Sequence, residues 1–94
     1  MKSGIYTIEN RISGGVYVGS STNVHRRLGK HRSDLNLGKH CNAHVQRAWH
    51  KYGPNAFVFS LLEACEPDIL LSQEQFWINQ IDPTYNQIRT PVIP

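Results

Sequence analysis

The sequence has 94 residues, of which 39% are hydrophobic and 18% are charged, so it can form one domain but not two separate cores. This composition is typical of a folded protein and excludes a disordered chain. No apolar run approaches the length of about 20 residues that spans a membrane, and the N-terminus shows no secretory signal. Two cysteines are too few for a disulfide framework and indicate reduced thiols in a cytoplasmic protein.

The basic residues are concentrated in the middle of the chain. Residues 25–51 hold seven Lys or Arg residues against the single acid Asp34, whereas residues 52–94 hold one arginine against five acids. All five histidines also lie in the basic segment. Such a segment indicates a polyanionic partner, most simply nucleic acid, and the alternative is a solvated helix face.

The first part of the chain predicts a β-hairpin followed by a helix. Residues 3–9 and 16–20 are rich in β-forming side chains, and turn-forming residues separate them. Possible N-cap residues follow, and Gly38 can end a helix. Between these signals, side chains of one helix face recur at Val24, Leu28, His31 and Leu35.

The second part predicts a helix, a strand and a further helix. Asn42 can cap a second helix that Gly53 ends, and residues 56–64 are the best candidate for a central strand. Pro67 suits the first turn of a third helix that runs to about residue 80. The tail 84–94 is expected to be an edge segment or irregular. The order ββααβα predicts an α+β domain whose small antiparallel sheet is flanked by three helices.

Two tyrosines can meet on the predicted hairpin. Side chains alternate along a strand, so Gly4 and Tyr6 share one face of the first strand, and Tyr17 and Gly19 share one face of the second. Pairing of the strands would bring the two tyrosines together with a glycine beside each. The alternative is a pair of ordinary strand tyrosines, because tyrosine is common in strands.

Polar side chains on the predicted helices also need partners. Arg27 and His31 are four residues apart and share a helix face at the edge of the core, unless they form an exposed polar pair. Glu74 lies within an apolar stripe and therefore needs a cation, a donor or a metal. A structural salt bridge to Arg27 and a metal site are both compatible with that position. Lys39 and His40 lie in the loop between two helices, from which basic groups can reach a substrate.

These residues resemble those of the GIY-YIG nucleases over nearly the whole chain. The two family motifs stand as Gly4-Ile5-Tyr6 and Tyr17-Val18-Gly19, with ten residues between them and valine in place of one isoleucine. Downstream matches are Arg27, His31, Glu74, and Asn86 after Tyr85. Within the family the chain is most similar to the catalytic domain of phage intron-encoded homing endonucleases, a likeness that His40 strengthens.

The resemblance implies a three-stranded antiparallel sheet and hydrolysis of DNA phosphodiester bonds. Glu74 would bind one Mg²⁺ or Mn²⁺ ion, and Arg27 would stabilise the transition state. Tyr6, Tyr17 or His31 would activate water, and the residues leave open which one is the base. His40 would contact phosphate or assist proton transfer. The remaining site residue is Asn86, which would orient a water or hold the active-site backbone.

The basic segment supplies the expected DNA contacts, at Arg26, Lys30, Lys39, Arg47 and Lys51. We expect one catalytic domain over residues 1–94, without a DNA-binding domain in this chain. Targeting would then need a fused or separate domain, and homodimers would be weak or absent. Gly4→Val is expected to impair activity more than folding. The alternatives are a catalytically silent DNA-binding module, a repair- or restriction-type nuclease, and a protein-binding adaptor.

Overall fold

The computed structural model describes residues 2–86 and has the predicted order ββααβα. The elements are β1 (Gly4–Asn10), β2 (Val16–Ser21), α1 (Val24–Leu37), α2 (Ala43–Tyr52), β3 (Phe57–Ala64) and α3 (Leu70–Ile81). Single 3₁₀ turns at Pro54–Ala56 and Pro67–Ile69 precede β3 and α3. The prediction of an α+β domain with three strands and three helices is confirmed.

The helix boundaries follow the predicted capping residues. The side chain of Asn23 accepts from the backbone of α1, and that of Asn42 accepts from the backbone of α2. Gly38 ends α1 in the left-handed conformation, with φ of 73°, and donates to two carbonyls of its last turn. Gly53 ends α2 with φ of 84°. Both helices therefore begin and end at the residues that the sequence marks as caps.

The sheet is antiparallel with strand order β2-β1-β3, so β1 is the central strand. The prediction that residues 56–64 form the central strand is wrong. Their apolar run resembles a strand covered on both faces, but Val58, Leu61 and Leu62 of β3 are 36–40% exposed. Helix α3 packs mainly over β2 and meets β3 at Glu63, which accepts from Gln73 and Trp77.

Helices cover both faces of the sheet. The larger core lies between the sheet and helices α1 and α2, where Ile8 of β1 packs with Leu35, Val45 and Trp49. On the opposite face, Ile78 of α3 packs against β1 and β2. Alternation along β1 and β2 sends successive side chains to these two cores. No helix of residues 2–86 is long and apolar enough to cross a membrane.

Residues after α3 return to the outer edge of β2. The backbone N–H of Tyr85 donates to the carbonyl of Val16 at 3.0 Å. The carboxamide of Asn86 accepts from the N–H of Val18 and donates to its carbonyl, both at 2.9 Å. Residues 84–86 thus form the edge segment expected for the start of the tail, and residues 87–94 lie outside the described part of the chain.

Candidate active site

A cavity of about 570 Å³ opens where β2 passes between α1 and the start of α3. Tyr6, Tyr17 and Arg27 line one side of it, and Glu74 lies on the other. The structure therefore brings together four of the seven predicted catalytic residues. The remaining three are not among the lining residues: His31 contacts Tyr6, His40 contacts His31, and Asn86 contacts Val18 between Tyr17 and Gly19.

The hairpin register places the two tyrosines together. Tyr6 pairs with Gly19 across the strands, and Ile8 pairs with Tyr17, so both rings lie on the α1 face of the sheet. Their centroids are 6.4 Å apart. The Tyr6 ring lies directly over Gly19, where a Cβ atom would lie 2.9 Å from Cε1 and closer still to Cζ and the hydroxyl oxygen. Only glycine at position 19 therefore leaves room for the Tyr6 ring.

Gly4 plays a different part from the one expected. A Cβ atom at Gly4 would lie 3.1 Å from Cδ1 of Leu61 and from Cα of Ala64, and closer to the carbonyl oxygen of Glu63. These atoms belong to β3, which packs beside Gly4 at the bulge in the sheet. A valine side chain at Gly4 would collide with the neighbouring strand, so we expect Gly4→Val to impair folding as well as activity.

Two buried histidines support the tyrosine pair. The hydroxyl of Tyr6 lies 2.7 Å from Nε2 of His31, and Nδ1 of His31 lies 2.7 Å from Nε2 of His40. The backbone N–H of Asn42 donates to Nδ1 of His40 at 3.0 Å. A continuous line of polar groups thus runs from the N-terminus of α2 to the cavity.

Burial controls the protonation of these groups. Desolvation, reinforced by His40 and Arg27, lowers the pKa of His31 to about 4. Burial also lowers the pKa of His40, so both imidazoles are neutral near pH 7. Burial raises the pKa of Tyr6 and of Tyr17 above the ordinary value, while the charge of Arg27 and hydrogen bonding oppose that rise.

Arg27 is exposed and faces the cavity from α1. Its positive charge lowers the pKa of Tyr6 and of Glu74 across the site, in each case against the larger effect of burial. Within residues 2–86, however, no ion pair joins Arg27 to Glu74. The structural salt bridge considered from the sequence is therefore not formed, and the guanidinium remains available to an anion in the cavity.

Glu74 is held by Ser20 instead. One carboxylate oxygen accepts from the hydroxyl of Ser20, which points from β2 toward α3. No donor from residues 2–86 reaches the other oxygen. Burial raises the pKa of Glu74, as expected for a half-buried carboxylate that lacks a close cation. A single carboxylate with a free oxygen at an open cavity suits Mg²⁺, which keeps several water ligands.

Glu74 is not part of a larger protein ligand set. No group of three or more His, Cys, Asp or Glu side chains gathers anywhere in residues 2–86. Asp68 lines the same cavity from the turn before α3 but is exposed. The donor set therefore fits a hard cation that takes its other ligands from water and substrate, and does not fit a structural zinc site.

The predicted DNA-binding residues are all exposed, but none of them lines the cavity itself. Arg26 and Lys30 line a small adjoining cavity of about 300 Å³ on α1, where Lys30 also pairs with Asp34 at 3.1 Å. Arg47 and Lys51 line a separate cavity of about 440 Å³ on α2. The last, Lys39, is exposed in the loop between α1 and α2.

The sequence alone did not reveal three supporting residues. Ser20 could have been found from strand alternation, because it lies on the face opposite Tyr17 and Gly19. Asn42 was recognised only as a helix cap, although its N–H also binds His40. Gln46 accepts from the backbone N–H of His40 at 2.9 Å, a contact that no sequence pattern signals.

Comparison with known proteins adds an independent finding. Residues 2–86 match the family model described as the GIY-YIG catalytic domain. Intron-associated endonuclease 1 of Enterobacteria phage T4 is 40% identical over 88 residues, which are 92% of this chain and 36% of that protein. A probable intron-encoded endonuclease 1 of Neurospora crassa is 34% identical over 62 residues, covering 66% of this chain and 19% of that protein.

Two solved structures share the fold. The catalytic domain of intron endonuclease I-TevI, solved as a mutant, superposes with a TM-score of 0.87 at 35% identity and covers 100% of both chains. Another structure of the catalytic domain of homing endonuclease I-TevI gives a TM-score of 0.84 at 36% identity, covering 93% of this chain and 99% of that one. The chain spans only about a third or less of the curated relatives that it matches. The family match over residues 2–86, together with the tyrosine pair, Arg27 and Glu74 around one cavity, shows that this chain belongs to the GIY-YIG catalytic domain family.

Proposed function

We propose that this chain is a divalent-metal-dependent DNA endonuclease domain, the cleavage module of a homing-type intron endonuclease. The observation that carries the proposal is the cavity that Arg27, Glu74, Tyr6 and Tyr17 share. Hydrolysis of a phosphodiester must remove a proton from water, stabilise charge on phosphate oxygens and release an alkoxide. The cavity offers a chemically suitable group for each of these needs.

Glu74 is the proposed metal ligand. Its free carboxylate oxygen would hold one Mg²⁺ or Mn²⁺ ion, which supplies charge stabilisation at the phosphate and at the leaving oxygen. Ser20 fixes the other oxygen and so orients the carboxylate toward the cavity. The burial that raises the pKa of Glu74 also favours a bound cation, because a cation compensates the desolvated charge.

Arg27 is the proposed anion contact. Its guanidinium has donors for two phosphate oxygens at once and stays charged at every relevant pH. It is exposed in the cavity and no described acid pairs with it, so a phosphate would meet a cation ready to bind. Such preorganised charge near the reacting oxygens is usually the largest contribution to catalysis.

Tyr6 and Tyr17 act together in activating water. Both tyrosines line the cavity, but Tyr17 is only half-buried whereas Tyr6 is 1% exposed. Burial raises the pKa of Tyr17, and the neighbouring Tyr6 hydroxyl opposes that rise. With Arg27 beside both hydroxyls, the pair is the group best placed to accept a proton from water in the cavity.

The exposed basic residues form two groups, and bound DNA could extend from the cavity along either one. Arg26 and Lys30 extend along α1, while Arg47 and Lys51 extend along α2 beyond Lys39. Binding through these contacts should weaken steeply with salt, since each neutralised phosphate releases counterions. Binding that stays constant between about 50 and 200 mM salt would contradict this assignment.

The likeness to intron endonucleases suggests a modular whole. Because the chain corresponds to 36% of the phage relative, we propose that a further DNA-binding domain, fused or separate, selects the target. One active site cuts one strand, so this domain alone would nick DNA as a monomer or weak dimer. Both cysteines in the described part are free thiols, which is consistent with action inside the cell.

The test is nicking of supercoiled plasmid at high protein concentration with Mg²⁺, Mn²⁺ or EDTA. Wild type should nick only with metal, and Arg27→Ala and Glu74→Ala should each lose about 100-fold or more. Arg32→Ala and Glu66→Ala are matched controls, because they make the same charge changes outside the cavity.

The controls should keep wild-type cleavage. Loss of activity in the controls as well would assign the effect to charge or stability rather than to the site. Salt-sensitive DNA binding without metal-dependent nicking, even after fusion to a DNA-binding module, would favour the catalytically silent binding module.

A further inference from the structure

The hydrogen-bonded line behind the tyrosines has a defined direction. It begins at the backbone N–H of Asn42, which can only donate, and passes through His40 and His31 to the hydroxyl of Tyr6. A neutral imidazole carries one N–H and one acceptor nitrogen. Once the first acceptor in such a line is fixed, every later donor is fixed as well.

The assignment follows atom by atom. Nδ1 of His40 accepts from Asn42, so the proton of His40 lies on Nε2 and is donated to Nδ1 of His31. The proton of His31 then lies on its own Nε2 and is donated to the oxygen of Tyr6. The hydroxyl proton of Tyr6 is therefore not used by His31 and remains for a partner in the cavity, where Tyr17 lies beside Tyr6.

We propose that the backbone N–H of Asn42 fixes the direction of this hydrogen-bonded line. His40 and His31 are then positioning residues that donate toward the tyrosine oxygens, and neither one accepts the proton of the attacking water. This inference rests on the proposed nuclease function and settles a question that the sequence left open, whether His31 competes with the tyrosines as the base.

Other hydrogen bonds hold the Asn42 end of this hydrogen-bonded line in place. The side chain of Asn42 accepts from the N–H of Val45 at 3.1 Å and donates to the carbonyl of Tyr85 at 2.7 Å. Gln46 accepts from the N–H of His40 and donates to the carbonyl of Leu35 at 3.1 Å. The N–H of Asn42 is therefore not free to turn away from the imidazole.

Reversing the direction of donation along the line would leave two buried donors facing each other. If Tyr6 donated to His31, then His31 would donate to His40, and the proton of neutral His40 would lie on Nδ1 against the N–H of Asn42. Both histidines are at most 8% exposed, so water cannot satisfy the displaced groups, and unpaired buried donors are costly. The lowered pKa of each histidine keeps it neutral, as the one-way arrangement requires.

The direction has a chemical consequence at the cavity. A tyrosine oxygen that gives up its proton gains negative charge, and a line of donors ending on that oxygen stabilises the charge cooperatively. His31 reaches Tyr6 as such a donor, and Tyr6 in turn serves Tyr17. The histidines would therefore help the tyrosine pair to lose a proton without carrying that proton themselves.

The decisive measurement is the tautomer of each histidine in the ¹⁵N spectrum of the metal-free protein near pH 7. Protonated and unprotonated imidazole nitrogens resonate far apart, so the readout does not depend on cleavage. We expect Nε2 to be protonated and Nδ1 unprotonated in both His31 and His40. A proton on Nδ1 of either residue overturns the proposal, even if the nuclease function stands.

A matched pair of variants tests the role in cleavage. The carboxamide of His40→Gln can accept from Asn42 and still donate to His31, whereas His40→Leu can do neither. We expect His40→Gln to stay within about tenfold of wild-type nicking and His40→Leu to lose about 100-fold. In His40→Leu, the fixed tautomer of His31 should also be lost. Equal activity of the two variants, at either level, contradicts the proposal, and if His40→Leu does not fold, the wild-type spectrum decides.

Discussion

Gly19→Ala should damage catalysis far more than its single methyl group suggests. The added carbon would lie 2.9 Å from Cε1 of Tyr6 and closer to Cζ and the hydroxyl oxygen, whereas carbon atoms in contact prefer about 3.5–4.0 Å. The Tyr6 ring must therefore shift by about 1 Å. That shift is enough to break the bond to His31, which is 2.7 Å in the unmodified protein.

The expected cost can be divided between stability and rate. Overpacking of this kind lowers the free energy of unfolding by about 1–3 kcal/mol. Displacement of an active-site group by about 1 Å can reduce the rate about 100-fold, which corresponds to about 2.7 kcal/mol in the activation free energy. The nicking rate at saturating metal measures the change in activation free energy. Unfolding in urea separately measures the change in the free energy of unfolding.

Gly15→Ala is the matched control for this prediction. A Cβ atom at Gly15 would lie 2.8 Å from Cε2 and 2.5 Å from the hydroxyl oxygen of Tyr85, so the same kind of collision occurs outside the catalytic cavity. Both variants should lose similar stability, and only Gly19→Ala should lose about 100-fold in cleavage. Near-normal nicking by folded Gly19→Ala would refute the role assigned to the position of Tyr6.

Three further outcomes follow from the site. Without metal, Glu74→Gln should melt at a higher temperature than wild type. Burial raises the pKa of Glu74, so its ionised carboxylate destabilises the fold at neutral pH. Added Mg²⁺ should raise the melting temperature of wild type only. Arg27→Lys keeps the charge but loses the two-point phosphate contact, so nicking should fall about 100-fold while plasmid binding changes little. The pKa of His31 falls from 6.5 to about 4 on folding, so protonation of His31 favours the unfolded chain. The free energy of unfolding should be highest above pH 6.5 and should decline by about 3 kcal/mol as the pH falls to 4. Urea unfolding of His31→Gln should show a smaller decline.

The secondary structure was predictable where local chemistry dominates. Asn42 and Gly53 bracket α2, and Gly38 ends α1, because caps and left-handed glycines act on the backbone around them. The position of β3 in the sheet was not predictable, since an apolar run looks the same on a central strand and on an edge strand with a partly exposed face. Which strand lies in the centre depends on long-range pairing that the sequence pattern does not encode.

The site residues divide in the same way. Strand alternation correctly placed Tyr6 and Tyr17 on one face, and helical spacing correctly placed Glu74 at a half-buried position. The partner of Glu74 proved to be Ser20 rather than Arg27, because the meeting of β2 with α3 is a tertiary event. Within the described residues, the side chain of Asn86 hydrogen-bonds to the backbone of Val18 on both sides, which supports the expectation that it holds the active-site backbone.

The two halves of the site belong to opposite faces of one strand. Tyr17 and Gly19 serve the tyrosine pair on the α1 face, while Ser20 reaches the carboxylate on the α3 face. Insertion or deletion of one residue between Tyr17 and Ser20 would place both side chains on the same face of the sheet, so one half of the site would be lost. This segment of β2 should therefore tolerate no change in length, whereas the turn at 11–15, at the end of the hairpin, can vary in length without separating the two halves.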